Sequence, residues 1–162
     1  MLDITKASVK ELLGLAARAE IDANKAYSDL ADMVSNPLLK EKFQMLAFEE
    51  KKHREVLGKL YSVLYPGEEI QVAEKADEAL LPSIHFTPSS SFVDILSQAM
   101  EAEKSATDFY SNLSVRVEEP RKKILDYLSK VEHSHYVMLK SEYSLAQDFE
   151  DYAEKDIDKV VT

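Results

Sequence analysis

The two halves of this 162-residue sequence repeat each other, and the repeat restricts the possible folds more than any other feature. An offset of 83 residues aligns the first segment of each half, and an offset of 82 residues aligns the second. The matching pairs are Glu20 and Glu103, Tyr27 and Tyr110, Pro37 and Pro120, Glu50 and Glu132, and His53 and His135. The repeat therefore predicts two units of similar design that pack about an approximate two-fold axis.

Apolar residues recur at spacings of three and four in both halves, which is the period of an amphipathic helix. The five prolines stand between the apolar stripes and divide the chain into four long segments. This pattern predicts an all-α four-helix bundle in which two antiparallel helical hairpins are joined by a long crossover. The predicted helices span residues about 8–34, 38–64, 91–117 and 121–149.

The segments outside these helices carry further predictions within one domain over residues 1–162. The middle of the crossover of about 65–90, around residues 70–81, is compatible with a short helix. The acidic and weakly periodic residues of about 150–162 are interpreted as a frayed helix end or tail. Two helix starts have the pattern of a capping box, namely Ser8-x-x-Glu11 and Ser91-x-x-Asp94.

Charge and composition exclude several classes of function. Thirty acidic residues against twenty basic ones give a net charge of −10, which opposes binding to nucleic acid or to an anionic membrane surface. Cysteine is absent, which excludes disulfides, thiolate catalysis and thiolate ligands for zinc or iron–sulfur centres. No apolar run approaches the roughly 20 residues of a spanning helix, and no signal peptide is recognisable. We therefore expect a soluble, cytoplasmic protein without nucleic-acid or membrane partners.

Six polar residues occupy stripe positions where a bundle core is expected: Glu20, Glu50, His53, Glu103, Glu132 and His135. Any one of them alone is more simply explained as the edge of a stripe, because a buried unpaired carboxylate is unfavourable. The distances of the six residues from the turns, measured along the helices, argue against that explanation. At 1.5 Å per residue, Glu20 lies about 24 Å from the first turn, and Glu50 and His53 lie about 21 and 26 Å from it. The second hairpin has matching heights, so the six side chains are predicted to share one layer.

Four carboxylates in one layer repel each other and take up protons unless cations neutralise them. Two divalent ions supply four positive charges, and each Glu-x-x-His motif places two ligands one helical turn apart on one face. Carboxylates with two imidazoles suit iron or manganese, with zinc as a further option, whereas calcium and magnesium rarely recruit histidine. The sequence therefore predicts a dinuclear metal site.

Four segments around these residues resemble the ferritin-like superfamily, and most closely its rubrerythrin-type domains. The segments are Ala-Glu20-Ile-Asp-Ala-Asn-Lys-Ala-Tyr27, Phe-Glu-Glu50-Lys-Lys-His53, Glu-Ala-Glu103-Lys-Ser-Ala-Thr-Asp-Phe-Tyr110 and Glu132-His-Ser-His135. The resemblance implies a ferritin-like bundle that holds two iron ions. By it, Glu50 and Glu132 would bridge the metals, and Glu20 and Glu103 would be terminal ligands. His53 and His135 would each ligate one ion.

Tyr27 and Tyr110 lie on the same helix faces as the glutamates, two turns further along. One interpretation is a pair of core aromatic residues. The other, which the family resemblance supports, is a pair of hydroxyl groups that each bond a ligand carboxylate of the opposite hairpin and fix its orientation. On the second interpretation these tyrosines are the candidate catalytic residues beside the ligands.

The sequence departs from the pattern of full rubrerythrins at two points. Ala106 stands where they have an extra carboxylate three residues after the third-helix ligand, and a chain without cysteine cannot hold their usual rubredoxin module. The remaining set of four glutamates and two histidines is also found in bacterioferritins. Lys51 replaces their haem-binding methionine, so haem is not expected.

Four further candidate residues lie off the predicted ligand faces. His133 is about 100° around the helix from Glu132, and His85 lies in the proline-bounded crossover. Glu49 and Glu101 are offset from the apolar stripes. We interpret His133 as a surface residue or as a neighbour of the ligands, and His85 has no partner at a ligand spacing. Glu49 and Glu101 are interpreted as surface acids, with an alternative role in shaping an access path.

These features lead to three functional hypotheses. The first is a rubrerythrin-like oxidoreductase, associated with oxidative stress, that reduces peroxide or dioxygen with electrons from a separate donor such as a rubredoxin-like protein. The second is ferroxidase activity linked to iron binding or storage. The third is a non-catalytic bundle that a metal such as zinc stabilises. A homodimer or a larger homo-oligomer is the expected assembly.

Overall fold

A computed structural model describes residues 3–149 and 152–153 of the chain, and the described residues form four long α-helices and no β-strand. The helices are α1 (Val9–Met33), α2 (Pro37–Leu64), α3 (Phe92–Ser114) and α4 (Lys122–Asp148). The predicted all-α bundle is confirmed, and the predicted helix ends agree with these bounds to within three residues.

The two helices of each half pack against each other, α1 along α2 and α3 along α4. Short connections at 34–36 and 115–121 make each pair an antiparallel hairpin, and the crossover of residues 65–91 joins the hairpins. None of the described helices is long and apolar enough to cross a membrane.

Local hydrogen bonds fix where α1 begins. The Ser8 hydroxyl accepts the backbone N–H of Glu11 at 3.2 Å, and a Glu11 carboxylate oxygen accepts the backbone N–H of Ser8 at 2.8 Å. The second predicted capping box is wrong, because Ser91 makes no side-chain cap bond at the start of α3. Asp94 is one methylene shorter than the glutamate that completes such a box, so its carboxylate does not reach back to the cap.

The crossover contains no helix, so the short helix with which residues 70–81 are compatible does not form. The segment instead lies against α1, where the Ala73 N–H donates to the Gly14 carbonyl oxygen at 3.1 Å. A Cβ at Gly14 would stand only 2.2 Å from the carbonyl oxygen of Gln71. Backbone N–H and C=O groups need hydrogen-bond partners, and here the segment finds one on α1 and not within a helical turn of its own.

A layer of polar side chains divides the apolar core into two clusters. One cluster includes Leu13, Leu57 and Leu125, and the other includes Leu30 and Leu139. On every helix the predicted ligand residues lie between residues that belong to one cluster and residues that belong to the other. Burying each leucine contributes about 1.5–3 kcal/mol, so the two clusters hold the helices together on both sides of the polar layer and offset its burial.

Beyond Phe149 the chain is described only at Tyr152 and Ala153, and the rest of the predicted acidic tail (150–162) lies outside the described residues. The Tyr152 hydroxyl donates to the carboxylate of Glu142, a buried acid on α4 that also pairs with Lys42 of α2. The sequence pattern did not indicate that this acid is buried. Its two partners compensate for its burial and tie the end of the described chain to the bundle.

Candidate metal centre

The middle layer of the bundle contains six polar side chains that face one another from all four helices. Each residue is at most 4% exposed, so the layer is shielded from bulk water. They are the six residues predicted from the sequence: Glu20 on α1, Glu50 and His53 on α2, Glu103 on α3, and Glu132 and His135 on α4.

The six residues form two overlapping groups, each with the composition of a metal site. Within each group, one ligand atom per residue lies within 4.8 Å of the others. The groups are Glu20, Glu50, His53 and Glu132, and Glu50, Glu103, Glu132 and His135. Because Glu50 and Glu132 occur in both groups, the arrangement suits two ions that share two carboxylates.

The two imidazole rings stack in this layer with their centroids 5.6 Å apart. Nδ1 of His53 lies 3.1 Å from Glu50 Oε2 and 2.9 Å from Glu132 Oε1. Nδ1 of His135 lies 3.2 Å from Glu50 Oε1 and 3.1 Å from Glu132 Oε2. Each shared glutamate thus directs one carboxylate oxygen towards each histidine, which is how a bridging carboxylate spans two ions.

Three buried atoms of the layer test whether metal ions fit it. Glu50 Oε1, Glu132 Oε1 and His53 Nδ1 have no hydrogen-bond partner of acceptable geometry among the described residues. An unsatisfied buried polar group costs about 1–3 kcal/mol, and a charged group costs more. These atoms lie close to one another without the angles of a hydrogen bond, which is the arrangement expected of ligands around a shared cation. The donor set therefore fits metal ions, and oxygen with imidazole nitrogen suits iron, manganese or zinc.

The electrostatics of the layer lead to the same conclusion. Burial raises the pKa of Glu20 and Glu103 well above the ordinary value, and the charges of the shared glutamates raise it further. Burial also opposes ionisation of Glu50, but contacts with the two histidines outweigh it and lower the pKa of Glu50 to about 2. Burial favours neutral imidazoles, but their carboxylate contacts outweigh it and raise the pKa of both histidines. Without metal, protons supply the positive charge that this layer requires.

Tyr27 and Tyr110 lie next to the terminal glutamates of the layer. The Tyr27 hydroxyl donates a hydrogen bond to Glu103, and the Tyr110 hydroxyl donates one to Glu20, so each bond crosses from one hairpin to the other. Burial raises the pKa of both tyrosines, so both hydroxyls keep their protons and act as donors. Both hydroxyls thus bond a carboxylate of the opposite hairpin, and the role of these carboxylates as metal ligands stays a prediction.

The interpretation of Glu49 as a surface acid is incomplete. Its side chain is 39% exposed, yet its Oε2 lies 2.5 Å from Nε2 of His135. The sequence gives no signal for this contact, because it joins two different helices and Glu49 lies outside the apolar stripe of α2. Glu101, His133 and His85 are exposed and lie outside the layer.

A small cavity of about 40 Å³ lies beside the layer, mainly between α1 and α3. Glu20 and Glu103 form its polar wall, while alanines of the two helices and crossover residues Leu81 and Pro82 form its apolar wall. Ala106, which stands at the position of the extra carboxylate of full rubrerythrins, also lines it. A cavity of this size has room for only one or two water-sized molecules, since a water occupies about 30 Å³ in the liquid.

A four-helix bundle with one glutamate on each of two helices and Glu-x-x-His on each of the other two defines the class of ferritin-like di-metal carboxylate proteins. The sequence matches the rubrerythrin family over residues 11–143. The chain therefore belongs to the rubrerythrin family.

Several solved structures share this fold. A hypothetical protein from Pyrococcus furiosus is 36% identical, with a TM-score of 0.82 over 90% of this chain and 94% of that one. A candidate ferritin-like diiron-carboxylate protein from Thermotoga maritima is 21% identical, with a TM-score of 0.69 over 85% of this chain and 95% of its own. CopM in its Cu(I)-bound form shares the fold at 14% identity and a TM-score of 0.67, over 86% of this chain and 97% of CopM. None of the curated proteins matches the chain significantly.

Proposed function

We propose that this protein is a di-iron carboxylate oxidoreductase that reduces peroxide or dioxygen with electrons from a separate donor. The observation that carries the proposal is the pair of overlapping ligand groups, in which both oxygens of Glu50 and of Glu132 face different histidines. Glu20 and His53 would complete the ligands of one ion. Glu103 and His135 would complete those of the other.

The reaction requires two electrons, two protons and a protected site. When bound, the two irons would supply the pair of electrons that breaks the O–O bond of peroxide, so that one peroxide and two protons give two waters. The buried helix layer keeps bulk water away from the reacting atoms. The hydroxyls of Tyr27 and Tyr110 hold the terminal carboxylates in place and keep a proton at the oxygen next to each.

The cavity between α1 and α3 favours a small oxidant. Its volume of about 40 Å³ suits hydrogen peroxide or dioxygen, and an organic hydroperoxide exceeds it. The terminal glutamates line this cavity, so an oxidant inside it would lie next to the ligand set. We expect hydrogen peroxide to react faster than cumene hydroperoxide, and Ala106→Leu, which fills the cavity, to slow both reactions without removing metal.

Electrons must reach the irons from another protein, because the chain has no cysteine for a rubredoxin-type or iron–sulfur centre. A rubredoxin-like protein is the donor that we propose, and the cytoplasm is the proposed compartment. The proposed assembly is a homodimer or a larger homo-oligomer.

A single-turnover experiment tests the proposed reaction. The iron-loaded protein is reduced without oxygen, separated from the reductant and mixed with hydrogen peroxide. We expect about one peroxide to be consumed per two irons, with oxidation of the iron seen by absorbance. The Glu50→Ala/Glu132→Ala double variant should bind little metal and consume no peroxide, whereas the exposed-site control Glu101→Ala should behave as wild type. Two bound irons that remain reduced in peroxide would support a non-catalytic bundle instead.

Ferroxidase activity is the second candidate, and the alanine at position 106 favours it. With Ala106 in place of the extra carboxylate, the ligand set is the symmetric one of four glutamates and two histidines. An enzyme of this kind would oxidise added Fe²⁺ over many turnovers with dioxygen. Iron storage also requires a hollow multimer, so a dimer in size-exclusion chromatography would exclude storage.

A further inference from the structure

The two histidines of the metal centre differ in what their outer ring nitrogens contact. Both direct Nδ1 into the carboxylate layer. Nε2 of His135 meets the carboxylate of Glu49 at 2.5 Å, whereas no hydrogen bond joins Nε2 of His53 to any group in residues 3–149 or 152–153. The approximate two-fold symmetry of the six ligands is therefore broken just outside them.

The repeat explains the difference. The offset of 82 residues that aligns Glu50 with Glu132 also aligns Glu49 with Val131. Glu49 of α2 bonds the histidine of α4, so the symmetric position for bonding the histidine of α2 is residue 131 of α4. Valine has no group that accepts a hydrogen bond. One hairpin thus has a carboxylate at this position and the other lacks it.

A carboxylate on the outer nitrogen changes a histidine ligand in two ways. It fixes the tautomer that carries the proton on Nε2, which leaves the Nδ1 lone pair free for a metal, and it holds the ring in orientation. It also makes the ligand nitrogen more basic. Removing such a partner typically lowers metal affinity about 10–100-fold.

We propose that Glu49 is a positioning residue that makes the two metal positions unequal, so that the position served by His135 binds a divalent ion more tightly than the position served by His53. This inference rests on the metal site of the proposed function. The protein then fills stepwise, first at the His135 position and then at the His53 position. Because Glu49 is partly exposed, it can be substituted, and its bond to His135 removed, without repacking the core.

Titration of the metal-free protein with Co²⁺ tests the inference, followed by absorbance and calorimetry. Wild type should bind two ions with different affinities. In a His53→Ala background, where the His135 position remains complete, Glu49→Ala should weaken Co²⁺ binding about 10–100-fold. In a His135→Ala background the same substitution should change the affinity less than about twofold, because its partner is gone.

Two variants separate the hydrogen bond from the charge of Glu49. Glu49→Gln keeps an acceptor oxygen of similar size without the charge, so it should recover part of the loss seen with alanine. Val131→Glu should give His53 the same partner and tighten the weaker position, while Val137→Glu, an exposed position on the same helix, should not. Circular dichroism verifies that each variant folds.

The results distinguish the inference from the function on which it rests. If wild type binds no Co²⁺ in the layer, the proposed metal site fails. If wild type binds two ions but Glu49→Ala has no effect, or has the same effect in both histidine backgrounds, the site stands and the inequality is wrong. A Val131→Glu variant whose weaker position does not tighten would likewise contradict the role of the carboxylate.

Discussion

Loading the metal-free protein with two divalent ions should release protons, because protons occupy the layer when metal does not. The pKa of His53 and His135 is raised by their carboxylate contacts despite burial, and the pKa of Glu20 and Glu103 is raised by burial and by neighbouring charges. All four groups therefore hold a proton more tightly in the metal-free protein than they would in free solution. A metal ligand must lose that proton, since ions bind neutral imidazole and ionised carboxylate.

The expected magnitude is about four protons per two ions, one from each of these groups. The charge balance is consistent, because four positive charges on two ions replace the four protons that leave. The apparent product of the two binding constants should then fall about 10⁴-fold for each unit by which the pH is lowered. The direction follows from the raised pKa values: protons compete with metal more strongly as the pH falls.

Calorimetric titration with Zn²⁺ in buffers of different ionisation enthalpy measures this number directly. A Glu20→Gln variant, which carries no proton to release, should give about one proton fewer. Release of fewer than about two protons by wild type would show that protons do not fill the metal-free layer, and would refute the reasoning.

Three further outcomes follow from the described contacts. Gly14→Ala should lower the free energy of unfolding by about 1–3 kcal/mol in urea denaturation, because its Cβ would stand 2.2 Å from the Gln71 carbonyl oxygen. The matched control is Gly58→Ala, which has open space around its Cβ and should raise the free energy of unfolding by about 0.5–1 kcal/mol. Tyr27→Phe and Tyr110→Phe should each leave the helix content unchanged but weaken metal binding about 10–100-fold in Co²⁺ titrations, because a terminal carboxylate loses its donor. The metal-free protein should lose stability as the pH rises from about 4.5, and more steeply above about 6.5, because groups whose pKa is raised by folding stabilise only while they are protonated. Unfolding at pH 6 and pH 8 with a chelator checks this direction, and a metal-free protein that is more stable at pH 8 would contradict it.

Much of this fold could be predicted from the sequence because helical periodicity and internal repetition act together. A single glutamate such as Glu20 on an apolar stripe is ambiguous, but six polar residues at matching heights in two repeats are not. Similar distances from the first turn predict that Glu20 lies next to Glu50 and His53, and the folded chain brings all three into one buried layer. The roles of these residues as ligands remain a prediction that metal binding must test.

The features that the sequence did not reveal depend on contacts between separate elements. Glu49 looks like a surface acid because it lies outside the stripe of its own helix, and only the packing of α2 beside α4 brings it to His135. Residues 70–81 contain enough helix-forming residues to suggest a helix, but Ala73 bonds to Gly14 instead. Glu142 is buried by partners distant in sequence.

The measurement that tests the central claim most directly is anomalous diffraction at the iron edge from crystals of the iron-loaded protein, combined with elemental analysis. We predict two iron peaks within the polar layer, both in contact with Glu50 and Glu132, one on the side of His53 and the other on the side of His135. No iron in the layer, or a single peak that contacts neither shared glutamate, would contradict the account.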